Sequence, residues 1–595
     1  TRTWPLLLAV LAALAVTRLA GLGVRLPHQD EMTHQWLSEM LAFEGWYRAS
    51  PVYHGPLLYH LQAGVMRLLG SDLWVARLVP AMAGIGAALA LVALTAREHG
   101  RASAMVLGGL VVASPSWLYY SRFDGHDTLI LLATASMAWG RWYWSTAKVD
   151  RALWIIGIAL AAAWCTKLNA LFLVGALAAW PVVRAAVYRT EGRSAPDLGL
   201  ARRAGPTLST PARATIVTVA AAMVAIVVAL FVTTWWAHRT SASGWDATWL
   251  TIRAATVDGL THWIGIDRQP RLRGPFHYYA ALLLLYEPLL VAGAALAVGR
   301  SVWTAPRTVA RDATLASIAG VAIGIAAWPV RDTVYRITHA HPAHLALLPL
   351  LVVLLWWAAR ARVRVDDEAG AWWTWLALTQ TLLYAYAGEK VPWLSVHVAL
   401  PWMMLAAPAL AGAWPRLRIG WRLCLVALGS VTVWGAVCAT TWTRSDPAEP
   451  LVQMEYAAET HALMARLARD CPTLVSRGQP CIGVMKSAAW PARWYLRALD
   501  GAVQAVDAGD RKTLPFVFVP ARRTSPAGTH ASLADTHLPT EVRFTTWGTW
   551  LPWLSRPDPG ALWRFLWRRE SLGRRYGQPY ELWVRRDIAR QWHLD

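Results

Sequence analysis

The chain has 595 residues, a formal charge of +21, 56% hydrophobic residues and a mean hydropathy of +0.33. So apolar a chain of this length is no soluble globular protein, and its uncharged runs approach the roughly 20 residues that cross a bilayer as a helix. The basic balance does not indicate nucleic acid, because the arginines collect in alternate loops, as cytoplasmic segments facing anionic lipid do.

In chain order, apolar periodicity predicts about thirteen spans. They lie near 4–20, 74–96, 104–121, 127–145, 152–165, 168–189, 214–236, 278–299, 312–330, 341–359, 371–387, 393–413 and 419–441. The first run lacks a small-residue cleavage site and reads as an anchor. Lys167 and Asn169 interrupt the stretch 152–189, which leaves open a tight outer hairpin or one broken helix. Arg97 and Arg101, Arg141 and Arg151, and the group Arg184, Arg189, Arg193, Arg202 and Arg203 mark cytoplasmic loops. So do Arg300, Arg307 and Arg311, then Arg360, Arg362 and Arg364, then Arg416, Arg418 and Arg422. That phase sends the loop 21–73, the turn SRFDGHD, the loop 237–277, the turn 388–392 and the tail to the extracytoplasmic face.

The expected fold is mainly α: a polytopic membrane domain over 1–441, followed by a small extracytoplasmic α/β domain over 442–595. In the tail, EYAAETHALMARLARD and WPARWYLRALD have helical spacing, while CIGVMK, FVFVP and ELWVRR read as strands. Cys165, Cys424 and Cys438 fall within spans and are expected to pack as small hydrophobes. Cys471 and Cys481 lie close together in the exported tail, where a disulfide is permitted.

Residues 30–60 read DEMTHQWLSEMLAFEGWYRASPVYHGPLLYH. Asp30 and Glu31 open a segment with helical apolar spacing (Met32, Trp36, Met40, Phe43), expected to lie in the interface plane. Partial desolvation beside interfacial aromatics is what makes a carboxylate a useful base. The bland alternative is a solvated loop acid. SRFDGHD supplies Arg122, Asp124, His126 and Asp127 at the outer end of a span. Such a turn either caps the next helix through Asp127 or holds an anion through Arg122. Only five lysines occur, and Lys167 and Lys390 sit at outer ends of spans, where an ionisable group is a functional candidate. For Lys390 the structural alternative is a pair with Glu389 and a snorkelling stem. Glu287, inside the apolar run LLLYEPLL, needs a partner. His238, His262, His277, His339, His341 and His397 are scattered without metal-ligand spacing, so no metal is expected.

The segments DE-x-x-H…EGWY…YHGPLLYHL, SRFxxxD, YEPL and GEKVPWLSVHVALP resemble the flippase-activity-associated family of archaeal-type glycosylation. More broadly they resemble GT-C integral-membrane glycosyltransferases of the protein O-mannosyltransferase and aminoarabinose-transferase type. The resemblance runs from the first span to about residue 500. It implies transfer of a sugar from a polyprenyl-phosphate carrier to an acceptor hydroxyl, with inversion, on the outer face of the cell membrane. It also implies Asp30 as the base, Glu31 as its orienting neighbour, and Arg122, Lys167 and Lys390 as candidates for the donor phosphate. Tyr53 and His54, with Asp127 and Glu389, would line the substrate pocket. No cofactor is implied beyond the lipid-linked donor, and the partners are the bilayer, that donor and an unidentified protein, glycan or lipid acceptor. Gly125 departs from the pattern, where a bulkier basic residue is usual. The alternative function is a non-catalytic partner of a lipid-linked-sugar flippase. A transporter fits less well, since charges gather at one face and the halves do not resemble each other.

Overall fold

A computed structural model describes residues 4–190 except 46 and 48–50, short pieces of 220–265, residue 272, and 274–592. Breaks within the last stretch fall at 304–305, 339–341, 366, 457, 477–478, 485–488, 498–502, 506–509 and 522–530. The expected span 214–236 and loop 237–277 lie largely outside the described residues. The chain divides into two compact units: 1–23, 37–442 and 554–558 in one, and 24–36, 443–553 and 559–595 in the other.

The first unit is helical. It holds α1 (Trp4–Leu19), α3 (Leu57–Leu69), α4 (Leu73–Glu98), α5 (Gly100–Ala113), α6 (Pro115–Ser121), α7 (Asp127–Ser145), α8 (Val149–Trp164) and α9 (Ala170–Thr190). It continues with α10 (Tyr278–Tyr286), α11 (Pro288–Trp303), α12 (Pro306–Ala327), α13 (Arg331–Thr338), α14 (Pro342–Arg364), α15 (Glu368–Tyr386), α16 (Ser395–Ala413) and α17 (Ile419–Val437). Among the described residues, five helices are long and apolar enough to cross a membrane, and seven if each bent pair counts as one span. Helices also occupy the expected spans 4–20, 127–145, 152–165, 312–330 and 371–387. The chain is therefore a multi-pass helical protein, although these helices do not establish the count of thirteen. Lys167 and Asn169 lie in a turn between two separate helices, α8 and α9.

The two bends have one cause. Pro115 and Pro288 each lack an N–H and break the helical ladder, giving angles of 61° between α5 and α6 and 112° between α10 and α11. Each break strands backbone donors that need an acceptor. Ser114 caps α6 by accepting from Trp117 N at 3.2 Å. The buried Glu287 carboxylate, at the second break, accepts from Ser114 Oγ at 2.6 Å and Ser116 N at 3.1 Å. Glu287 thus has its partners: the acid at the second break answers donors at the first. At the other end of the bundle, arginines of the basic loops are paired or stacked. Arg184 meets Glu368 at 2.6 Å, Arg362 meets Asp367 at 2.7 Å, and Arg360 lies 4.2 Å from the Trp357 ring.

The second unit is built on a six-stranded sheet of order β1-β5-β6-β4-β2-β3. Its strands are β1 (Met454–Tyr456), β2 (Ile482–Val484), β3 (Val503–Ala505), β4 (Phe516–Pro520), β5 (His537–Thr549) and β6 (Arg574–Arg585). Strand β2 runs parallel to β3 and β4, and the remaining pairs are antiparallel. The run FVFVP is apolar throughout because both faces of β4 are covered. Phe516 and Phe518 pack with Met464, Leu467 and Leu582, while Val517 and Val519 pack with Leu533 and Trp583. Its longer helices are α2 (Gln29–Glu39) from the first outer loop, α18 (Ala458–Leu474), α19 (Ala489–Tyr495) and α20 (Pro559–Arg568), α2 extending past residue 36 into the helical unit. Cys471 and Cys481 form a disulfide that ties the end of α18 to the start of β2. Of the other three, Cys165 and Cys438 are buried and Cys424 is exposed on α17.

Candidate active site

Helix α2 carries the acidic pair, and its first turn gives the two carboxylates different work. His28 is the N-cap: its carbonyl accepts from Met32 N at 3.0 Å, and its ring Nδ1 accepts from Asp30 N at 3.0 Å. Glu31 reaches back to His28 N at 2.9 Å, which completes a capping box with a histidine in the usual Ser/Thr position. Glu31 is fully buried and pairs with Arg25 at 2.5 Å. Asp30 is the open one, its carboxylate 49% exposed at the helix N-terminus. On the buried side, Met32 packs on Trp494 with Trp36 and Trp490 alongside.

Burial holds the His28 pKa below its ordinary 6.5, against the raising pull of Asp30 and Glu31, while Arg25 and His34 also lower it. A neutral ring is needed, because Nδ1 must accept from the Asp30 amide. The unfolded chain takes up this proton near 6.5, so the cap contributes its full stability above that value and loses it as pH falls below. Thermal unfolding of the chain should therefore move to lower temperature on acidification through pH 6.5. A His28→Asn variant, which caps without titrating, should flatten that slope.

A second constellation lies in the helical unit. Asp127, the first residue of α7, accepts from Lys167 Nζ at 3.1 and 3.2 Å and lies 2.8 Å from His397 Nε2 on α16. Asn169 donates to Tyr384 Oη at 3.0 Å, and the Tyr384 ring stacks on His397 at 5.6 Å. Asn169, Gln380, Tyr384, His397 and Thr134 line a narrow cavity whose other walls are apolar, including Ile130 and Leu400. These polar groups converge from α7, α15, α16 and the turn between α8 and α9.

The YHGP loop is clasped to the turn that carries Lys167. Gly55 N donates to Thr166 O at 3.0 Å and Leu57 N to Cys165 O at 2.9 Å. A side chain at Gly55 would run into the Cys165 carbonyl, so only glycine allows this approach. Gly55→Ala should lower stability by about 1–3 kcal/mol, the usual cost of overpacking, read as an earlier unfolding midpoint in lipid discs. His54, at φ +64°, sets its ring edge-on to His126 at 5.1 Å, and Tyr59 meets the same ring at 5.6 Å. Tyr53 is half-buried and its carbonyl takes the Tyr59 hydroxyl. Asp124 is buried and accepts from Gln62 Nε2 at 2.5 Å.

Two expected phosphate cations are engaged otherwise. The Arg122 guanidinium donates to the carbonyls of Thr17, Arg18, Ala20 and Gly21 at 2.8–3.2 Å, capping the end of α1. Lys390 is 1% exposed, and its three ammonium donors go to the carbonyls of Tyr384, Ala385 and Ala387 at the end of α15. Helix C-termini offer orphan carbonyls that attract cations, and here they have captured both. Glu389 is half-buried beside Lys390. The sequence does not reveal His397 as a partner of Asp127, nor Tyr384 and Gln380 as walls of the adjoining cavity. The one available signal was His397 inside the quoted run GEKVPWLSVHVALP. Among the described residues, no three His, Cys, Asp or Glu side chains form a metal-ready group.

Residues 53–200 match the family model of dolichyl-phosphate-mannose-protein mannosyltransferase. No curated protein matches the chain in sequence. Among solved structures, ArnT from Cupriavidus metallidurans, bound to undecaprenyl phosphate, is similar at 16% identity. That match covers 92% of this chain and 98% of that one, with a TM-score of 0.51. The oligosaccharyltransferase of Archaeoglobus fulgidus, tethered to an acceptor peptide, is 12% identical over 87% of this chain and 69% of that one, with a TM-score of 0.45. The S. cerevisiae protein O-mannosyltransferase Pmt1-Pmt2 complex, bound to the sugar donor, is 20% identical over 43% of this chain and 34% of that one, with a TM-score of 0.30.

Proposed function

From a chain that carries the GT-C glycosyltransferase fold, we propose a membrane enzyme that moves a sugar from a polyprenyl-phosphate carrier to an acceptor hydroxyl. The acceptor oxygen attacks the anomeric carbon, its proton passes to Asp30, and the carrier leaves as polyprenyl phosphate. A single displacement inverts that carbon. The reaction is assigned to the extracytoplasmic side of the cell membrane, where the arginine pattern places the first outer loop.

The observation that carries this reading is the division of labour on α2. Glu31 is locked into a buried cap and ion pair, which fixes the backbone turn that carries the open Asp30 carboxylate. A base held by supports that do not themselves react is the arrangement proton abstraction needs. The lipid-linked donor is supported by the undecaprenyl phosphate bound to the structurally similar ArnT. To act as the cation for the leaving phosphate, Lys167 would have to exchange the Asp127 carboxylate for phosphate oxygens. Arg122 and Lys390 would have to exchange backbone carbonyls for phosphate oxygens to join it. No cofactor enters the step.

Their commitment to carbonyls favours a second reading, a non-catalytic partner of a lipid-linked-sugar flippase. Purified protein in lipid discs, offered a panel of polyprenyl-phosphate sugars with mixed acceptors, separates the two. Release of free polyprenyl phosphate, followed by mass spectrometry, identifies the enzyme and its donor. Donor binding without release from any acceptor in the panel supports the flippase partner and overturns the enzyme.

A further inference from the structure

Helix α20 (PGALWRFLWR) presents an unusual face. Proline at its first position suits a helix start, and spacing of four puts Trp563 and Trp567 side by side, their rings 5.5 Å apart. They are 64% and 51% exposed. The opposite face is anchored: Phe565 is buried, and the buried Arg569 pairs at 3.5 Å with Glu449, which also accepts from Thr443 Oγ1 at 2.6 Å. The helix is therefore fixed in one rotation, with both indoles outward.

The surroundings are basic. Between residues 556 and 576 six arginines face two acids, and Arg564, Arg568, Arg574 and Arg575 are exposed beside the exposed Tyr576. Glu570 meets Arg564 at 3.2 Å and Arg568 at 3.7 Å, an exposed arrangement that adds little stability. The chain also enters α20 from residues 554–558, which pack in the membrane-spanning unit. Exposed tryptophans flanked by arginines, on a helix entered directly from a membrane unit, have the composition of an interfacial helix. We propose that α20 is a membrane-surface anchor of the tail. Trp563 and Trp567 enter the boundary between headgroups and acyl chains, and the arginines meet anionic headgroups.

The test uses the full chain in lipid discs containing anionic phosphatidylglycerol, with Cys424→Ser to remove the exposed thiol. A spin label is placed on Trp567→Cys or, as a control on the sheet, on the exposed Glu541→Cys. Relaxation of each label by oxygen is compared with relaxation by a water-soluble nickel chelate. The expected result is an oxygen-to-nickel ratio several-fold higher at 567 than at 541, falling when phosphatidylglycerol is replaced by a zwitterionic lipid. Equal ratios at the two positions overturn the proposal. Shielding of the label at 567 from both reagents overturns it too, because that is the mark of a second protein against the helix. Trp563→Cys, labelled in the same way, guards against a local defect at 567 and should give the same high ratio.

Discussion

Asp30→Asn should reduce sugar transfer roughly 10²–10⁴-fold, the share a positioned general base contributes, while the unfolding midpoint hardly moves. The substitution keeps the shape and removes the proton acceptor. Its stability cost is confined to a carboxylate at a helix N-terminus, about 0.3–1 kcal/mol at an exposed site. The neighbour behaves in the opposite sense. Glu31→Gln leaves Arg25 buried beside a neutral amide and weakens the capping box, a loss on the order of 3–5 kcal/mol when a buried pair is broken. Carrier release and thermal unfolding, measured on both variants in lipid discs, separate the roles. Transfer at the wild-type rate by Asp30→Asn would refute the base assignment. If Glu31→Gln unfolds like the parent, the cap described on α2 contributes nothing.

Asp127→Ala should strongly destabilise the helical unit. It strands Lys167 and His397, both nearly buried, without the carboxylate they share. Breaking such a pair costs about 3–5 kcal/mol, because an uncompensated buried charge remains. The ordering of Asn169 and Tyr384 around the cavity should loosen with it, since His397 stacks on Tyr384. Adding Lys167→Met to Asp127→Ala removes the stranded charge, so the double variant should recover much of the lost stability. Denaturant unfolding in detergent micelles tests both steps. A double variant no more stable than the single one would show that the charge pair is not the source of the loss.

Parts of this architecture were legible because the physics is local. Apolar runs near bilayer length gave helices wherever residues are described. The runs CIGVMK, FVFVP and ELWVRR, readable as strands from their apolar residues, fall on β2, β4 and the end of β6, with Met485 and Lys486 outside the described residues. The longest strand, β5, was missed. HLPTEVRFTTWGT is largely polar, and as a strand it pairs with β1 on one side and β6 on the other. EYAAETHALMARLARD is helical from Ala458 onward, but its first two residues, Glu455 and Tyr456, belong to β1 and pair with β5. WPARWYLRALD was likewise overextended, since α19 ends at Tyr495.

At the site, types of residue were legible and their commitments were not. A cation at the end of a span looks alike in sequence whether it waits for phosphate or caps a helix. Arg122 and Lys390 differ from Lys167 only in which carbonyls or carboxylates the fold brings to them. The difference between Asp30 and Glu31 is also three-dimensional: Arg25 and the His28 amide select the second acid and leave the first open. His397 lies 270 residues from Asp127, beyond the reach of any local pattern.

The acceptor that the second helix break supplies to the first has a consequence for biogenesis. Ser116 N must find Glu287, which is 171 residues further along the chain. While the ribosome makes the intervening helices, α5 and α6 sit in the membrane with that donor unanswered, a state that costs several kcal/mol in hydrocarbon. The first break therefore cannot settle when it is inserted. It must remain hydrated, or be held by the insertion machinery, until α10 and α11 arrive. The bundle completes its early half only when its later half is delivered.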